Sequence, residues 1–214
     1  GVLLEGPAGP ARLLLIFDHL YVDGLSLRRL LADLGSMSLE GAPAKPYIEG
    51  RQKMQDALAA SKYEADRSHW LRRFRDHEAL TELPPGFEGE PGAGAAVHLQ
   101  RLEPELCRRL EALAKRDGVT LFAVYTAAFS KLWAFWLRQE ELLFNTPVAG
   151  RPVGDEPTWV GCYADIVPLA MRGCGQATWP DLNRQAQAAL LEAQRHATAS
   201  GVQLARDLAK ERGQ

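Results

Sequence analysis

Residues 13–26 read Leu-Leu-Leu-Ile-Phe-Asp-His-Leu-Tyr-Val-Asp-Gly-Leu-Ser, an apolar run that leads into a polar turn carrying one histidine. The pattern predicts a buried strand over residues 12–17, followed by the turn. An imidazole placed as His19 is can take up or release a proton near neutral pH. Gly24 permits a backbone turn that most side chains disfavour, and Asp23 can anchor that turn through a charged partner.

The composition is that of an ordinary globular protein. The chain has 214 residues, 46% of them hydrophobic and 24% charged, which is enough for one substantial core or two small lobes. The formal net charge is -2, and no block of lysine and arginine stands out. We therefore expect neither nucleic acid nor an anionic membrane surface as a partner.

The cysteines and the first apolar run bear on the cellular compartment. Cys107, Cys162 and Cys174 are odd in number and lack the close spacing of a zinc or redox motif, which is typical of a reduced compartment. The run Leu13–Phe17 is far too short to cross a membrane, and no charged leader precedes it. These features predict a cytoplasmic protein.

Periodicity and breaker residues predict an α+β chain. The predicted strands cover residues 12–17, 96–102, 142–145 and 162–171. The predicted helices cover 25–34, 52–74, 104–117, 121–137, 179–197 and 202–212. The Pro- and Gly-rich stretch 83–94 predicts a linker, and 146–157 an irregular loop. The helix 121–137 is apolar on nearly every side, so we expect it to be central, with Trp133, Phe135 and Trp136 in the core.

The opening motif resembles the His-His-x-x-x-Asp-Gly signature of nonribosomal peptide synthetase condensation domains, with Asp18 in place of the first histidine. Other stretches resemble later segments of the same family and follow in the family's order. They are Trp70–Phe74 for a Tyr-Trp helix, Gly118–Phe122 for a Gly-x-Thr helix start, Asn145–Arg151 for a Gly-Thr-Pro-x-x-x-Arg loop, Val160–Asp165 for a Gly-Phe-Phe-x-Asn strand, and the late helix with Arg195-His196.

This resemblance implies a fold of two lobes like those of chloramphenicol acetyltransferase, each a two-layer sandwich of mixed sheet flanked by helices. Substrates of the family enter a tunnel between the lobes. Residues 1–82 then correspond to the end of the N-terminal lobe with the active-site motif, and 83–94 to the linker. Residues 95–214 correspond to an incomplete C-terminal lobe, so we expect the chain to hold roughly half of a full domain.

The resemblance also implies roles for the motif residues. His19 is the catalytic candidate, either as general base for the attacking amine or as the group that positions it; the alternative is a histidine that bonds to backbone at a strand end. Asp23 is expected to form a structural ion pair with Arg151, or else to be an exposed aspartate that caps the helix at 25–34. Gly24 serves either a close approach of the substrate or only the turn.

Asp18, Asp23 and Ser26 also fit Asp-x-x-x-x-Asp-x-x-Ser, the signature of heterocyclization domains. Those domains place an Asp and a Thr in a later strand, where this chain has Cys162 and Ala164, and neither can perform the same proton transfer. Ser26 is expected to lie near the substrate. Asp165, which stands where the family usually has Asn, is also expected to lie near the substrate. The alternative is that it is only a polar residue at a strand end.

The function expected from the resemblance is amide bond formation between acyl or aminoacyl thioesters held on donor and acceptor carrier proteins, beside adjacent synthetase domains. The phosphopantetheine arms belong to those carriers, so we expect no cofactor bound by the domain itself. His69, His77 and His98 lack ligand-like spacing, and no metal is assigned. The alternatives are a heterocyclization or divergent modifying domain, and a catalytically silent module that docks carrier proteins.

Overall fold

The computed structural model describes residues 2–4, 12–36, 49, 52, 60–75, 97–151 and 160–211, which form an α+β arrangement. The elements are, in chain order, β1 (Val2–Leu4), β2 (Arg12–Leu14), α1 (Gly24–Ser36), α2 (Ala60–Phe74), α3 (Pro104–Asp117), α4 (Leu121–Leu137), β3 (Glu141–Val148), β4 (Asp165–Arg172), α5 (Trp179–Arg195) and α6 (Gly201–Glu211). Each predicted helix has a counterpart, although residues 53–59 of the second lie outside the described residues.

The described strands form two sheets of two strands each. Strands β1 and β2 are antiparallel, with Val2 opposite Leu14, and β3 is the neighbour of β4. The prediction of a buried strand over 12–17 is wrong in both length and burial. Strand β2 ends at Leu14, and Ile16 is 79% exposed. Within the described residues β2 pairs with β1 alone, and a two-stranded ribbon gives its side chains little cover.

The predicted strand at 96–102 is also wrong. Residues 97–103 have no regular structure, and Val97 and Leu99 are 82% and 88% exposed. An alternating pattern makes a strand only where a partner strand accepts its backbone hydrogen bonds. The described residues supply no such partner to this stretch.

The chain divides into two compact units. The first comprises Gly1–Tyr63 and Pro147–Asp165, and the second comprises Glu64–Thr146 and Ile166–Gln214. Arg151 therefore belongs to the same unit as His19 and Asp23, although more than a hundred residues of chain separate them. The predicted linker 83–94 lies outside the described residues, and the predicted lobe limits stay predictions.

Helix ends in the second unit follow from capping residues. Pro104 opens α3, and Gly118 ends it in the left-handed region with φ of 69°. Thr120 then caps α4, since its side chain accepts a hydrogen bond from the Ala123 N–H. The core of this unit is made of large apolar side chains, among them Trp70, Phe74, Leu142, Leu169, Met171 and Leu182.

Helix α4 is buried on one face only, which corrects the prediction that it is central. Its buried face is made of small or short side chains, namely Ala123, Val124, Thr126, Ala127, Ser130 and Ala134. Phe135 is 77% exposed and Trp136 is 50% exposed, so they are not core residues. Trp133 is half-buried. Small residues allow the helix to pack closely on one side, and its bulky side chains occupy the other.

No single helix in the described part of the chain is both long and apolar enough to cross a membrane. Helices α3 and α4 together reach the required length and apolarity, but they meet at a bend of 99°.

Candidate functional site

Asp23 caps the N-terminus of α1. Its Oδ1 atom accepts a hydrogen bond of 2.9 Å from the Ser26 N–H, and its carbonyl accepts one of 2.9 Å from Leu27 N. This is the N-cap geometry for which aspartate is favoured, because the first N–H groups of a helix have no partner inside it. The helix-capping interpretation is therefore correct in its geometry, but Asp23 is buried rather than exposed.

The same carboxylate forms a bidentate ion pair with Arg151. Nη1 donates to Oδ2 at 2.8 Å and Nη2 donates to Oδ1 at 2.5 Å. The side chains of Arg151 and Asp23 are only 1% and 2% exposed. Oδ2 also accepts the backbone N–H groups of Tyr163 at 3.0 Å and Ala164 at 3.2 Å. The expected pairing of Asp23 with Arg151 is thus present in the structure.

The environment of Asp23 favours its charged form. Burial by itself raises the pKa of this carboxyl group, but the hydrogen bonds from Arg151 and from the N–H groups of Ser26 and Tyr163 outweigh burial and bring the pKa far below its ordinary value. Asp23 is therefore a structural group that is charged at neutral pH, and it is not a proton donor or acceptor for a reaction there.

Ser26 connects α1 to Gly161, which lies in the segment before β4. Its Oγ donates to the carbonyl of Gly161 at 2.8 Å and accepts from Gly161 N at 2.9 Å and from Arg151 Nη2 at 2.8 Å. One donor and two acceptors are all that a hydroxyl provides, so its bonding capacity is filled. The structure places Ser26, which was expected beside the substrate, in this fully buried network.

Arg151 is held in place by its neighbours in the loop. Gly150 has φ of 58°, and a Cβ built on it would lie 2.0 Å from the carbonyl oxygen of Tyr163. The Arg151 guanidinium also lies over the Tyr163 ring, 5.1 Å from its centroid. Among the described residues, Arg151 Nε is buried with no hydrogen-bond partner.

His19 lies in the turn that precedes this buried network. Tyr21 N donates to the Asp18 carbonyl at 3.0 Å, and Leu20 N donates to Asp18 Oδ1 at 2.9 Å, so Asp18 stabilises the turn itself. The His19 ring is exposed, and its Nδ1 lies 3.9 Å from Cys162 Sγ. The alternative of a strand-end histidine requires a bond from the ring to backbone. The contact that the structure gives for the ring is instead with the Cys162 side chain.

Gly24 and Asp165 complete the list of predicted site residues. Gly24 begins α1 without a positive φ, and a Cβ added there would meet nothing within 4 Å. The backbone therefore does not force a glycine at this position, and the expectation that the substrate approaches the chain at Gly24 stays a prediction. Asp165 is the half-buried first residue of β4.

The histidines outside the motif have local roles. His69 bonds to Glu192, and His98 is exposed. His77 lies outside the described residues. In the part of the chain that the structure describes, no three His, Cys, Asp or Glu side chains are grouped as a metal site.

Sequence reasoning missed the contribution of residues 161–163. Gly161 bonds to Ser26 through both backbone groups, Cys162 lies beside the His19 ring, and Tyr163 packs on Arg151. The stretch was matched to the family as a strand, but its pattern holds no signal that its backbone joins the N-cap of α1. Only long-range contacts bring these groups together.

The site presents one imidazole, that of His19, from a turn beside the Asp23–Arg151 pair. Both members of that pair stay charged at neutral pH. The buried pair neutralises Asp23 and Arg151, and Ser26 and the backbone of residues 161–164 supply the remaining hydrogen bonds. In the described residues, the Nε2 atom of His19 has no hydrogen bond. That atom is available to a reacting group.

Comparison with known proteins identifies the class. A family model of the condensation domain matches residues 8–214, and the chain belongs to that family. The fold agrees: the chain is similar to the first condensation domain of the calcium-dependent antibiotic synthetase, with a TM-score of 0.76, 20% identity, and coverage of 89% of this chain and 46% of that one.

Two relatives illustrate the range of the family. The chain is 30% identical over 220 residues to phenyloxazoline synthase MbtB of Mycolicibacterium paratuberculosis, covering 97% of this chain and 18% of that protein. It is 27% identical over 190 residues to tyrocidine synthase 3 of Brevibacillus parabrevis, covering 86% of this chain and 3% of that protein. The chain thus spans only a small part of the length of these relatives.

Proposed function

We propose that this chain contributes the histidine-bearing part of a condensation domain that forms amide bonds between carrier-bound acyl or aminoacyl thioesters. The single observation that supports this proposal is the exposed His19 turn next to the buried Asp23–Arg151 pair. The donor and acceptor carrier proteins supply the phosphopantetheine arms, and neighbouring synthetase domains supply the carriers.

In the proposed reaction the acceptor amine attacks the carbonyl carbon of the donor thioester. A C–N bond forms, the C–S bond breaks, and the proton lost by the amine ends on the departing pantetheine thiol. His19 assists through Nε2, either by accepting the amine proton or by holding the amine in place as charge develops. Asp23, Arg151 and Ser26 keep the turn in position and do not touch the reacting atoms.

The test is single-turnover transfer between loaded carriers, measured in the full-length protein that contains this chain. We expect His19→Ala to slow amide formation by about a hundredfold or more. His98→Ala, which removes an exposed histidine outside the site, should leave the rate unchanged. An undiminished rate in His19→Ala would overturn the proposal.

A second candidate is heterocyclization, because the relative with 30% identity is named a phenyloxazoline synthase and Asp18, Asp23 and Ser26 fit that signature. The burial of Asp23 and Ser26 weighs against a direct chemical role for either residue. Intact-mass analysis of the carrier-bound product separates the two: cyclization releases one further water, whereas condensation alone does not.

The third alternative is a catalytically silent docking module, which binds carrier proteins but does not catalyse acyl transfer between them. It predicts that a loaded carrier binds the full-length protein with an affinity that His19→Ala does not change, while no amide product forms in either protein. Product formation by the unmodified protein would exclude it.

A further inference from the structure

The contact between Cys162 and His19 is a feature of the site that the proposed function does not use. Cys162 Sγ lies 3.9 Å from His19 Nδ1, the ring nitrogen opposite the Nε2 atom assigned to the amine. Both residues belong to the first compact unit. A thiol beside an imidazole is an arrangement that activates cysteine as a nucleophile, because the ring nitrogen accepts the thiol proton as the sulfur attacks.

Hydrogen bonds on both sides of Cys162 fix the position of its backbone. Gly161 bonds to the Ser26 hydroxyl through its N–H at 2.9 Å and through its carbonyl at 2.8 Å. On the other side, Tyr163 N donates to Oδ2 of the buried Asp23 at 3.0 Å. The Cys162 side chain therefore extends from a backbone that is held before and after it.

The turn that carries His19 is held as well. Two backbone N–H groups of the turn donate to Asp18, one to Oδ1 at 2.9 Å and one to the carbonyl at 3.0 Å. After the turn, Asp23 N donates to the Gly161 carbonyl at 3.3 Å, directly before Cys162. The ring and the thiol thus come from two segments whose backbones are bonded to each other, so the fold itself brings the two groups together.

The other two cysteines lack this arrangement. Cys174 is fully buried, and burial raises the pKa of its thiol to about 11, so that it stays protonated at neutral pH. Cys107 is half-buried on α3, and within the described part of the chain no hydrogen bond joins its thiol to a histidine. Cys162 is half-buried against an exposed imidazole, which gives an acyl group access to the pair.

We propose that Cys162 takes the acyl group from the donor thioester before the acceptor amine attacks, an inference that rests on the proposed amide formation. In this first transfer Sγ attacks the carbonyl carbon of an acyl or aminoacyl thioester. A C–S bond to Cys162 forms, and the C–S bond to pantetheine breaks. The thiol proton passes to His19 Nδ1 and from there to the departing pantetheine sulfur.

In the second transfer the amine attacks the carbonyl carbon of the thioester on Cys162. A C–N bond forms, the C–S bond to Cys162 breaks, and the proton lost by the amine ends on Sγ. The sum of the two transfers is the amide formation already given, and no other reagent takes part. Because the donor thiol departs in the first transfer, the acyl group accumulates on Cys162 when the acceptor is withheld.

The test withholds the acceptor. In the full-length protein that contains this chain, the donor carrier is loaded as for the single-turnover measurement and the acceptor carrier is left unloaded. The protein is then digested with pepsin in acid, and its peptides are analysed by mass spectrometry. We expect the acyl group on the peptide that holds Cys162, released by neutral hydroxylamine as a thioester is, and none on the peptide that holds Cys107. Loading the acceptor before digestion should remove the group from Cys162 and yield the amide.

Variants assign the adduct to the pair. Cys162→Ala and Cys162→Ser should both lose the adduct and slow amide formation about tenfold or more, because one has no nucleophile and the other has a much weaker one. His19→Ala should form the adduct about tenfold or more slowly, since the thiol loses its base. Cys107→Ala and His98→Ala are the matched controls, and both should keep the unmodified rates of adduct and amide formation.

Three outcomes would overturn the proposal: no acyl group on Cys162 although the unmodified protein forms the amide, equal acylation of Cys107 and Cys162, or unchanged amide formation in both Cys162 variants. Thermal unfolding of each variant shows whether its fold is retained, and Cys162→Ser replaces Cys162→Ala if the latter does not fold.

The failure of this inference differs from the failure of the proposed function. Amide formation that stops in His19→Ala but continues unchanged in Cys162→Ala overturns the role of Cys162 and leaves the proposed function in place. An acyl group on Cys162 with no amide product after the acceptor is loaded overturns the proposed function and leaves Cys162 as the acyl acceptor.

Discussion

At Asp23, donors of two kinds converge on one buried carboxylate. A guanidinium binds both oxygens, and backbone N–H groups from Ser26, Tyr163 and Ala164 fill the remaining positions. Because the cost of removing two charges from water is large, a buried ion pair is tolerated only when further hydrogen bonds compensate that cost, as they do here at the Asp23 carboxylate. The energetic consequence appears when one partner is removed, since the other charge then stays buried alone.

We therefore expect Asp23→Asn to lower the free energy of unfolding by about 3–5 kcal/mol, because the Arg151 guanidinium loses its counter-charge. Denaturation in guanidinium chloride measures the change. The control is Asp33→Asn, which removes an exposed partner of Arg29 on α1 and should cost about 0.5 kcal/mol or less. Equal losses in the two variants would contradict the assignment of a buried, energetically coupled pair.

Because the pKa of Asp23 is lowered in the folded chain, the free energy of unfolding depends on pH in the acid range. A carboxyl group whose pKa is lower in the folded chain than in the unfolded chain stabilises the fold fully above its ordinary value of about 4. That contribution is lost progressively as the pH falls from about 4 toward the native-state pKa. The free energy of unfolding should thus fall below pH 4 to 5 in the unmodified chain.

The variant Asp23→Asn isolates this effect. Because it lacks the titrating group, its free energy of unfolding should decline less steeply than that of the unmodified chain between pH 5 and pH 3. Urea unfolding at a series of pH values provides both curves. Parallel curves would show that other carboxyl groups account for the acid sensitivity; Asp207, whose pKa is also lowered by Arg67, is the first to examine.

At the scale of elements, the loop after β3 decides whether Arg151 reaches Asp23. The backbone at Gly150 passes so close to Tyr163 that only a hydrogen fits between them. Tyr163 in turn donates its N–H to Asp23 and carries the ring on which Arg151 lies. The loop and the segment 161–164 are therefore one packed unit, and a shift of either moves the ion pair.

Gly150→Ala should disrupt this packing. The alanine Cβ would overlap the Tyr163 carbonyl and would also sit at a positive φ, so we expect a loss well beyond the ~1–2 kcal/mol cost of the left-handed conformation alone. Gly173→Ala is the matched control, because Gly173 has φ of 59° and nothing within 4 Å of the added Cβ. Chemical denaturation of both variants measures the difference, and equal losses would rule out the clash.

Local signals were sufficient to predict the helices. Pro104, Gly118 and Thr120 mark the limits of α3 and the start of α4, and the structure places the boundaries there. The strands were less predictable. Strand pairing joins distant parts of the chain, so an alternating pattern such as that of residues 96–102 does not show whether a partner exists.

At the scale of the whole molecule, the exposed face of α4 is the largest departure from expectation. Five bulky side chains, each at least 40% exposed, recur along it at intervals of three and four residues: Phe122, Tyr125, Phe129, Leu132 and Trp136. This spacing places them on one side of the helix. The spacing is readable in the sequence, but whether the stripe is buried depends on what packs against it.

This stripe predicts strong binding of the dye 1-anilinonaphthalene-8-sulfonate by the chain, since contiguous exposed apolar surface binds such probes. Replacing Phe122 and Leu132 with lysine should reduce the dye fluorescence and leave the helical circular dichroism unchanged. The control replaces Val97 and Leu99 with lysine. These two residues are also exposed, but they lie in a segment without regular structure. A similar reduction in the control would indicate that the stripe is not the binding surface.

The amino-acid sequence by itself indicated the family, the helices with their caps and the turn around His19, whereas the pairing of Asp23 with Arg151 was expected only from the family resemblance. These features depend on local propensity or on motifs that stand in a recognisable order. Tertiary structure alone decided that hydrogen bonds to Gly161 and Arg151 saturate the Ser26 hydroxyl, that the backbone at Gly150 lies close to the Tyr163 carbonyl, and that one face of α4 is exposed. The reason is physical: burial and hydrogen-bond saturation depend on groups more than a hundred residues away, and no local pattern encodes which of them meet.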